Sequence, residues 1–375
     1  MTPMKRDLRR DAEAIWHAGL DAVHAGHAVE GWLAANRAEL LLNDRVWVVG
    51  AGKAAVAMAR PVVAALGQRC LGGLVTTKDG HAAGHHDLPF DVLFASHPVP
   101  DERSVDAAAR TLELVGGLGS ADLVICVLSG GASSLWTAPI AQLDLAGVQA
   151  RTQMLLNTGV GIEAMNTMRG SWSRIKNGGL SRAARPAGIW TLVLSDVPDE
   201  ARFVGSGPTI GGDRLDVVAD WKMAVAAASA AADARGYSVV HVDGFGDHGA
   251  VMARVLASMN PGTAVICGGE TTLELSNPGR GGRNQHFALD VAVRLAGKAG
   301  WALMSVGTDG TDGPTDDAGG LVDGQTMRRV NASGLDANRA LQRFDSGTAL
   351  QAAGDLVRTG PTGTNVMDLR VLLSE

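Results

Sequence analysis

The sequence predicts an α/β protein of two domains, and three observations carry that expectation. Its 375 residues exceed what a single hydrophobic core usually organises. Short, near-continuous apolar runs alternate with alanine-rich stretches, the pattern of strands covered by helices on both faces. Most of these runs give way to loops of glycine and polar residues, as at the carboxyl ends of strands in open α/β sheets.

The elements follow in chain order. Leu8, Ala12, Ile15, Leu20 and Val23 recur at helical spacing among charges, which predicts an amphipathic helix across residues 5–25. Val46–Val49, Leu74–Thr76, Leu123–Leu128 and Thr191–Leu194 read as buried parallel strands. Ala224–Ala234 reads as a helix closed by Gly236. A second set of strands is expected at Tyr237–Val242, Ala264–Cys267, Ala302–Val306 and Leu369–Leu373. The expected domains are therefore 1–236, a Rossmann-like, doubly wound, mostly parallel sheet, and 237–375, a smaller α/β domain. The active site is expected in the cleft between them.

Composition narrows the function. Hydrophobic residues make up 46% and charged residues 19%, which is globular. A net charge of -6 argues against a nucleic-acid partner, because phosphate binding wants a basic face. Cys70, Cys126 and Cys267 lie far apart without metal-ligand spacing and read as reduced, buried thiols. Lys5, Arg6, Arg9 and Arg10 are followed by Asp11, Glu13 and His17, so no apolar signal-peptide region forms. No run approaches the roughly 18 apolar residues of a membrane helix. The expectation is a cytoplasmic protein with no nucleic-acid or membrane partner.

Five loops concentrate chemistry. Gly50-Ala51-Gly52-Lys53-Ala54-Ala55 follows a strand and opens a helix, where glycines admit a phosphate and Lys53 supplies charge. As G-x-G-x-x-A it could bind a dinucleotide, but Thr76-Thr77-Lys78 stands where the ribose-binding acid belongs. A plain strand–helix turn is the bland alternative. Ser129-Gly130-Gly131-Ala132-Ser133-Ser134 makes a second anion cradle after a strand, without the G-x-S-x-G of a serine hydrolase. Arg169, Arg174 and Lys176 cluster within eight residues and suit a carboxylate or phosphate, or else complete a basic helix end. Gly268-Gly269-Glu270-Thr271-Thr272 pairs with Gly281-Gly282-Arg283-Asn284-Gln285, where a guanidinium among glycines can clamp phosphate. The run from Gly307 to Asp317 carries Asp309, Asp312, Asp316 and Asp317, oxygen ligands suited to Mg²⁺ or a solvated acidic loop. Thr359–Asn365 repeats its composition. Together the loops offer cations for phosphate and carboxylates for metal, the components of phosphoryl transfer. His81, His85, His86 and His97 lack zinc-helix spacing and read as loop or substrate-contact residues.

Taken in order, these loops resemble the glycerate 2-kinase family, of the two-domain type whose C-terminal part is the MOFRL domain. Ser96–Asp101, Ser173–Lys176, Ser195–Pro198, Gly205–Thr209, the GTDGTDGPTD run and Thr359–Leu369 extend the resemblance over nearly the whole chain. It implies ATP- and Mg²⁺-dependent, in-line phosphorylation of D-glycerate at its 2-hydroxyl, giving 2-phospho-D-glycerate. Lys53 and Arg283 would be the catalytic cations. Asp196, Asp309 and Asp312 would lie near the metal, with Asp196 also counted as catalytic. Gly52, Ser129, Gly130, Gly131, Ser133, Ser134, Arg169, Lys176, Glu270 and Asn284 would bind substrate or phosphate. The chain departs from the family at Gly170, Ser171 and Trp172, where Lys-His-Leu is usual, and at His286, where glutamate is common. Those changes bear on which sugar acid is taken. A homodimer is left open. The rivals are an NAD(P)-dependent hydroxypyruvate reductase, a name some family members carry, and a non-enzymatic sugar-acid binding module.

Overall fold

Leu123–Leu128 is buried at every position, which a strand achieves only inside a sheet covered on both faces. The computed structural model describes residues 6–81, 87–158, 162–198, 200–273 and 279–375, with side chains of 156–158 and 162–166 outside that description. The expected histidines His85 and His86 lie outside the described residues. The chain divides into two compact units.

The first unit spans His24–Asp220 with Gly363–Asn365. Its strands are β1 (Val46–Ala51), β2 (Cys70–Lys78), β3 (Asp91–Ala95), β4 (Leu123–Leu128), β5 (Gly188–Leu194) and β6 (Arg214–Ala219). They align in the order β3-β2-β1-β4-β5-β6, every neighbour parallel. This is the doubly wound order, and its direction reverses between β1 and β4, where such sheets open a crevice. One face packs Val49, Val124, Cys126, Leu128 and Val193 against Ala107, Ala108 and Trp136.

The second unit gathers the segment ending at Val23, Trp221–Thr362 and Val366–Glu375. Its strands are β7 (Ser238–Asp243), β8 (Gly246–Asp247), β9 (Thr263–Gly269), β10 (Thr271–Thr272), β11 (Trp301–Gly307), β12 (Gly319–Asp323), β13 (Leu356–Val357) and β14 (Asp368–Ser374). The main sheet runs β13-β12-β11-β14-β9-β7, with only the β7–β9 pair parallel. β8 and β10 pair separately.

The division differs from the expected boundary at Gly236. Gly236 does close its helix, at φ 77°, but that helix (Trp221–Asp233) already belongs to the second unit. The reason is packing. Helix Leu8–Ala22 buries Ala12, Ile15 and Trp16 with Ala228, Ala232, Ile266 and Met304. The two helices approach so closely that a Cβ on Gly19 would sit 2.9 Å from the Ala224 carbonyl. Tyr237 Oη donates to Asp11 at 2.7 Å and fastens the same helix. Among the described residues, no helix is long and apolar enough to cross a membrane. Cys126 and Cys267 are buried, and no described cysteine is in a disulfide.

Candidate active site

The sheet reversal of the first unit brings the Gly50–Ala55 and Ser129–Ser134 loops together. The Lys53 amide donates to the Gly130 carbonyl at 2.9 Å, and the Ser129 amide to Ala51 at 3.1 Å. Ser129 Oγ accepts the Ala54 amide at 3.0 Å, so this hydroxyl locks the turn. Gly52, at φ 137°, has no room for a Cβ, which would fall 2.1 Å from Ser129 Oγ. On the other side, a Cβ at Gly130 would fall 2.2 Å from both Asp196 Oδ2 and Asn365 Nδ2. Gly131 lies between His97 and the Lys53 stem, where a Cβ would come within 3.1 Å and 3.5 Å of them. Lys53, Ser129–Gly131, Asp196 and Asn365 therefore share one small volume at the ends of β1, β4 and β5. Ser133 and Ser134 are turned elsewhere: Ser134 donates to the Pro98 carbonyl, and Ser133 pairs with Ser206 Oγ at 2.9 Å. Their hydroxyls, expected to meet a substrate, hold protein groups instead.

Arg169 and Lys176 line one small cavity with Thr137, Thr152, Trp172 and Ser173. Among the described residues neither cation has a carboxylate partner. Burial, reinforced by Arg169, pulls the Lys176 ammonium down to about 7, and burial lowers Arg169 as well. The two desolvated cations repel one another across this cavity. Arg174, from the same cluster, points away and holds the Pro139 carbonyl.

The second unit builds its site around Arg283. Its Nε and Nη2 donate to Asp368 at 2.7 Å and 3.0 Å, and Nη1 lies 2.7 Å from Glu270. Asp368 is fully buried and also accepts from Asn284 Nδ2 at 2.8 Å and Arg370 Nη2 at 2.9 Å. The surrounding carboxylates, Asp368 above all, outweigh burial and hold Arg283 charged, while its cations keep Asp368 ionised. Glu270 and Asn284, expected to touch substrate, thus orient the arginine. Asp368 and Arg370 were not singled out from the sequence, because they sit within the apolar run of β14. Two charged residues at alternate positions of one strand share a face, which was the available signal.

The aspartate loop separates into two roles. Asp312 is buried and accepts the backbone amides of Asn284 at 3.0 Å and Gln285 at 2.8 Å. Both oxygens cap the helix Arg283–Arg294, so this carboxylate, expected near a metal, is engaged by backbone amides. Burial raises its pKa to about 6 despite the two amides. Asp309, half-buried, has Oδ1 on Thr311. Among the described residues, no three His, Cys, Asp or Glu side chains cluster as a metal cage.

A pocket of about 390 Å³ opens beside Arg283, walled by Glu270, Thr271, Gly281, His286 and Phe344. The His286 and Phe344 rings stack with centroids 5.3 Å apart. Burial and the neighbouring His248 lower the His286 imidazole to about 4.

A doubly wound sheet with a lysine–glycine crevice, joined to a mixed-sheet unit that fixes an arginine between carboxylates, defines a class of anion-handling α/β enzyme. The family described as "Domain of unknown function (DUF4147)" matches residues 11–224, and the MOFRL family matches residues 263–368. D-glycerate 2-kinase of Thermotoga maritima is 36% identical, over 96% of this chain and 97% of that protein. A protein of Agrobacterium vitis provisionally named hydroxypyruvate reductase is 39% identical, over 88% of this chain and 87% of its own. The crystal structure of glycerate kinase from Thermotoga maritima superposes with a TM-score of 0.86 at 34% identity, covering 98% and 99% of the two chains. The chain belongs to the glycerate 2-kinase family, whose members pair the DUF4147 and MOFRL domains.

Proposed function

We propose that this protein is a glycerate 2-kinase that transfers the γ-phosphoryl group of ATP to the 2-hydroxyl of D-glycerate. The observation that carries the reading is the convergence of Lys53, the Ser129–Gly131 backbone and Asp196 at the sheet reversal. That is a phosphate-handling arrangement, and a relative matched over nearly the whole chain is named a D-glycerate 2-kinase. Lys53 neutralises the transferring phosphoryl group, and Arg283 is the second catalytic cation. Arg169 and Lys176 grip the substrate carboxylate. Asp196 and Asp309 are each a half-buried carboxylate after a strand of its own unit, and either has the oxygen chemistry to hold Mg²⁺, which needs few protein oxygens when phosphates supply the rest. An ion held by such a carboxylate would supply charge neutralisation for the phosphate oxygens. The reduced cysteines accord with a cytoplasmic location.

The reductase name has less behind it here. Asp79, the acid nearest the ribose position of a dinucleotide, is held by both Arg103 nitrogens at 2.9 Å and 2.8 Å. The deciding assay supplies D-glycerate, ATP and Mg²⁺ and follows ADP, with ³¹P NMR of the product. ADP release that stops with EDTA, and a 2-phospho product, are expected. NADH consumption with hydroxypyruvate and no ADP release from D-glycerate would reverse the assignment.

A further inference from the structure

The pocket beside Arg283 has a chemistry unlike the Arg169–Lys176 cavity. At about 390 Å³ it falls among small-ligand sites and is far larger than a three-carbon acid requires. One wall is the stacked pair His286–Phe344, with an interplanar angle of 30°. Phe344 presents its ring from a left-handed backbone, φ 51°, a conformation that bulky residues seldom keep. His286 Nδ1 is 3.2 Å from Ser346 Oγ, and Nε2 has no protein partner among the described residues. The imidazole is neutral at pH 7, so the wall is two uncharged rings with one open hydrogen-bonding nitrogen. The cation at the rim, Arg283, is already balanced by Asp368 and Glu270. Such a pocket suits a flat, uncharged heterocycle whose charged end leaves along Arg283.

We infer that this pocket takes the adenine nucleoside end of the phosphoryl donor, making the mixed-sheet unit the nucleotide-binding half. The inference rests on the kinase reading for the identity of the ligand. Aromatic stacking on a base is lost in Phe344→Ala, and Thr272→Trp fills the pocket from its exposed edge. ADP is titrated calorimetrically into the full chain and both variants, with folding followed by thermal melting. D-glycerate and ATP KM values are taken alongside. Each variant should weaken ADP about 10- to 100-fold and raise the ATP KM in step, with the D-glycerate KM held within about twofold. Unchanged ADP affinity in a folded Thr272→Trp protein overturns the proposal. So does a rise in the D-glycerate KM with ATP unaffected. Should the wild type transfer no phosphoryl group, the kinase reading falls, and the ADP titration still decides the pocket. Binding to the wild type that both variants lose supports it, and no binding to the wild type refutes it.

Discussion

The two units treat their buried cations in opposite ways. Around β4 and β5, Arg169 and Lys176 stand together without a described carboxylate, and both lose proton affinity. Around β14, Arg283 lies between Asp368 and Glu270 and gains it. A buried cation without a partner is an uncompensated charge that costs stability until an anion arrives. A cation clamped by fixed carboxylates is held in position and is slow to pair with anything new. In the proposed reading the first arrangement is a receptor and the second a preorganised tool: the substrate carboxylate is assigned to the first, and charge that develops only during reaction to the second.

The largest test of that contrast removes the tool. Arg283→Ala and Lys53→Ala should each lower kcat at least about a hundredfold with the fold intact by circular dichroism. Arg283→Lys should recover little, because one ammonium cannot span Asp368 and Glu270 in the fork geometry of a guanidinium. Near wild-type turnover in any of the three would show that Arg283 or Lys53 is structural. Removing the receptor should act on binding. Arg169→Ala or Lys176→Met should raise the KM for D-glycerate roughly 10- to 100-fold, the scale of a charged hydrogen bond. Glycerol, lacking the carboxylate, should not be phosphorylated. Comparable turnover of glycerol would move the carboxylate site elsewhere.

The smallest effect is a pH dependence. Lys176 is depressed to about 7, so in the free enzyme it loses its proton as pH rises through 7. An anion prefers the protonated form, so the KM for D-glycerate should climb above that pH by up to about tenfold per unit. Lys176→Arg, charged throughout, should flatten the climb. A KM that is flat between pH 6 and 9 in the wild type would mean that Lys176 does not meet the substrate. The same depression makes the free fold less stable as pH falls from the usual lysine range towards 7, since the unfolded chain takes up the proton first.

Eight strands of the two main sheets were legible because their apolar runs are bounded by glycine or polar loops. Of those that were not, β6 and β12 were hidden for identifiable reasons. In β6, Arg214 and Asp216 alternate with apolar residues, and they are committed to Asn36 and Trp32 across an edge of the sheet. β12 opens on Gly319-Gly320, residues poor in strand propensity, and Gly320 is needed because a Cβ would meet Ala288 at 2.9 Å. The lysine–glycine crevice was legible from Gly50–Ala55 and Ser129–Ser134, since local spacing already places backbone amides. What Asp312, Ser133 and Ser134 would do was not. Each could serve a ligand or the protein, and only tertiary contacts with Asn284, Ser206 and Pro98 decide between them. Asp368 escaped notice because a fully buried carboxylate within an apolar strand looks like part of the strand until its partners converge.

The helix Leu8–Ala22 has a further consequence for biosynthesis. It leaves the ribosome well before the surface it covers, on Trp221–Asp233 and the sheet behind, which is made about 200 residues later. At translation rates of roughly 5–20 residues per second, its apolar face waits on the order of 10 to 40 s for a partner. His24–Asp220, nearly all of the intervening unit, is contiguous and can complete its own sheet during that interval. The nascent chain therefore has a built-in delay, with the helix unsatisfied while the intervening unit folds. Removing that delay, by moving the helix to the far terminus in a circular permutant, should speed assembly of the mixed sheet, because the surface it covers would already be made when the helix emerges.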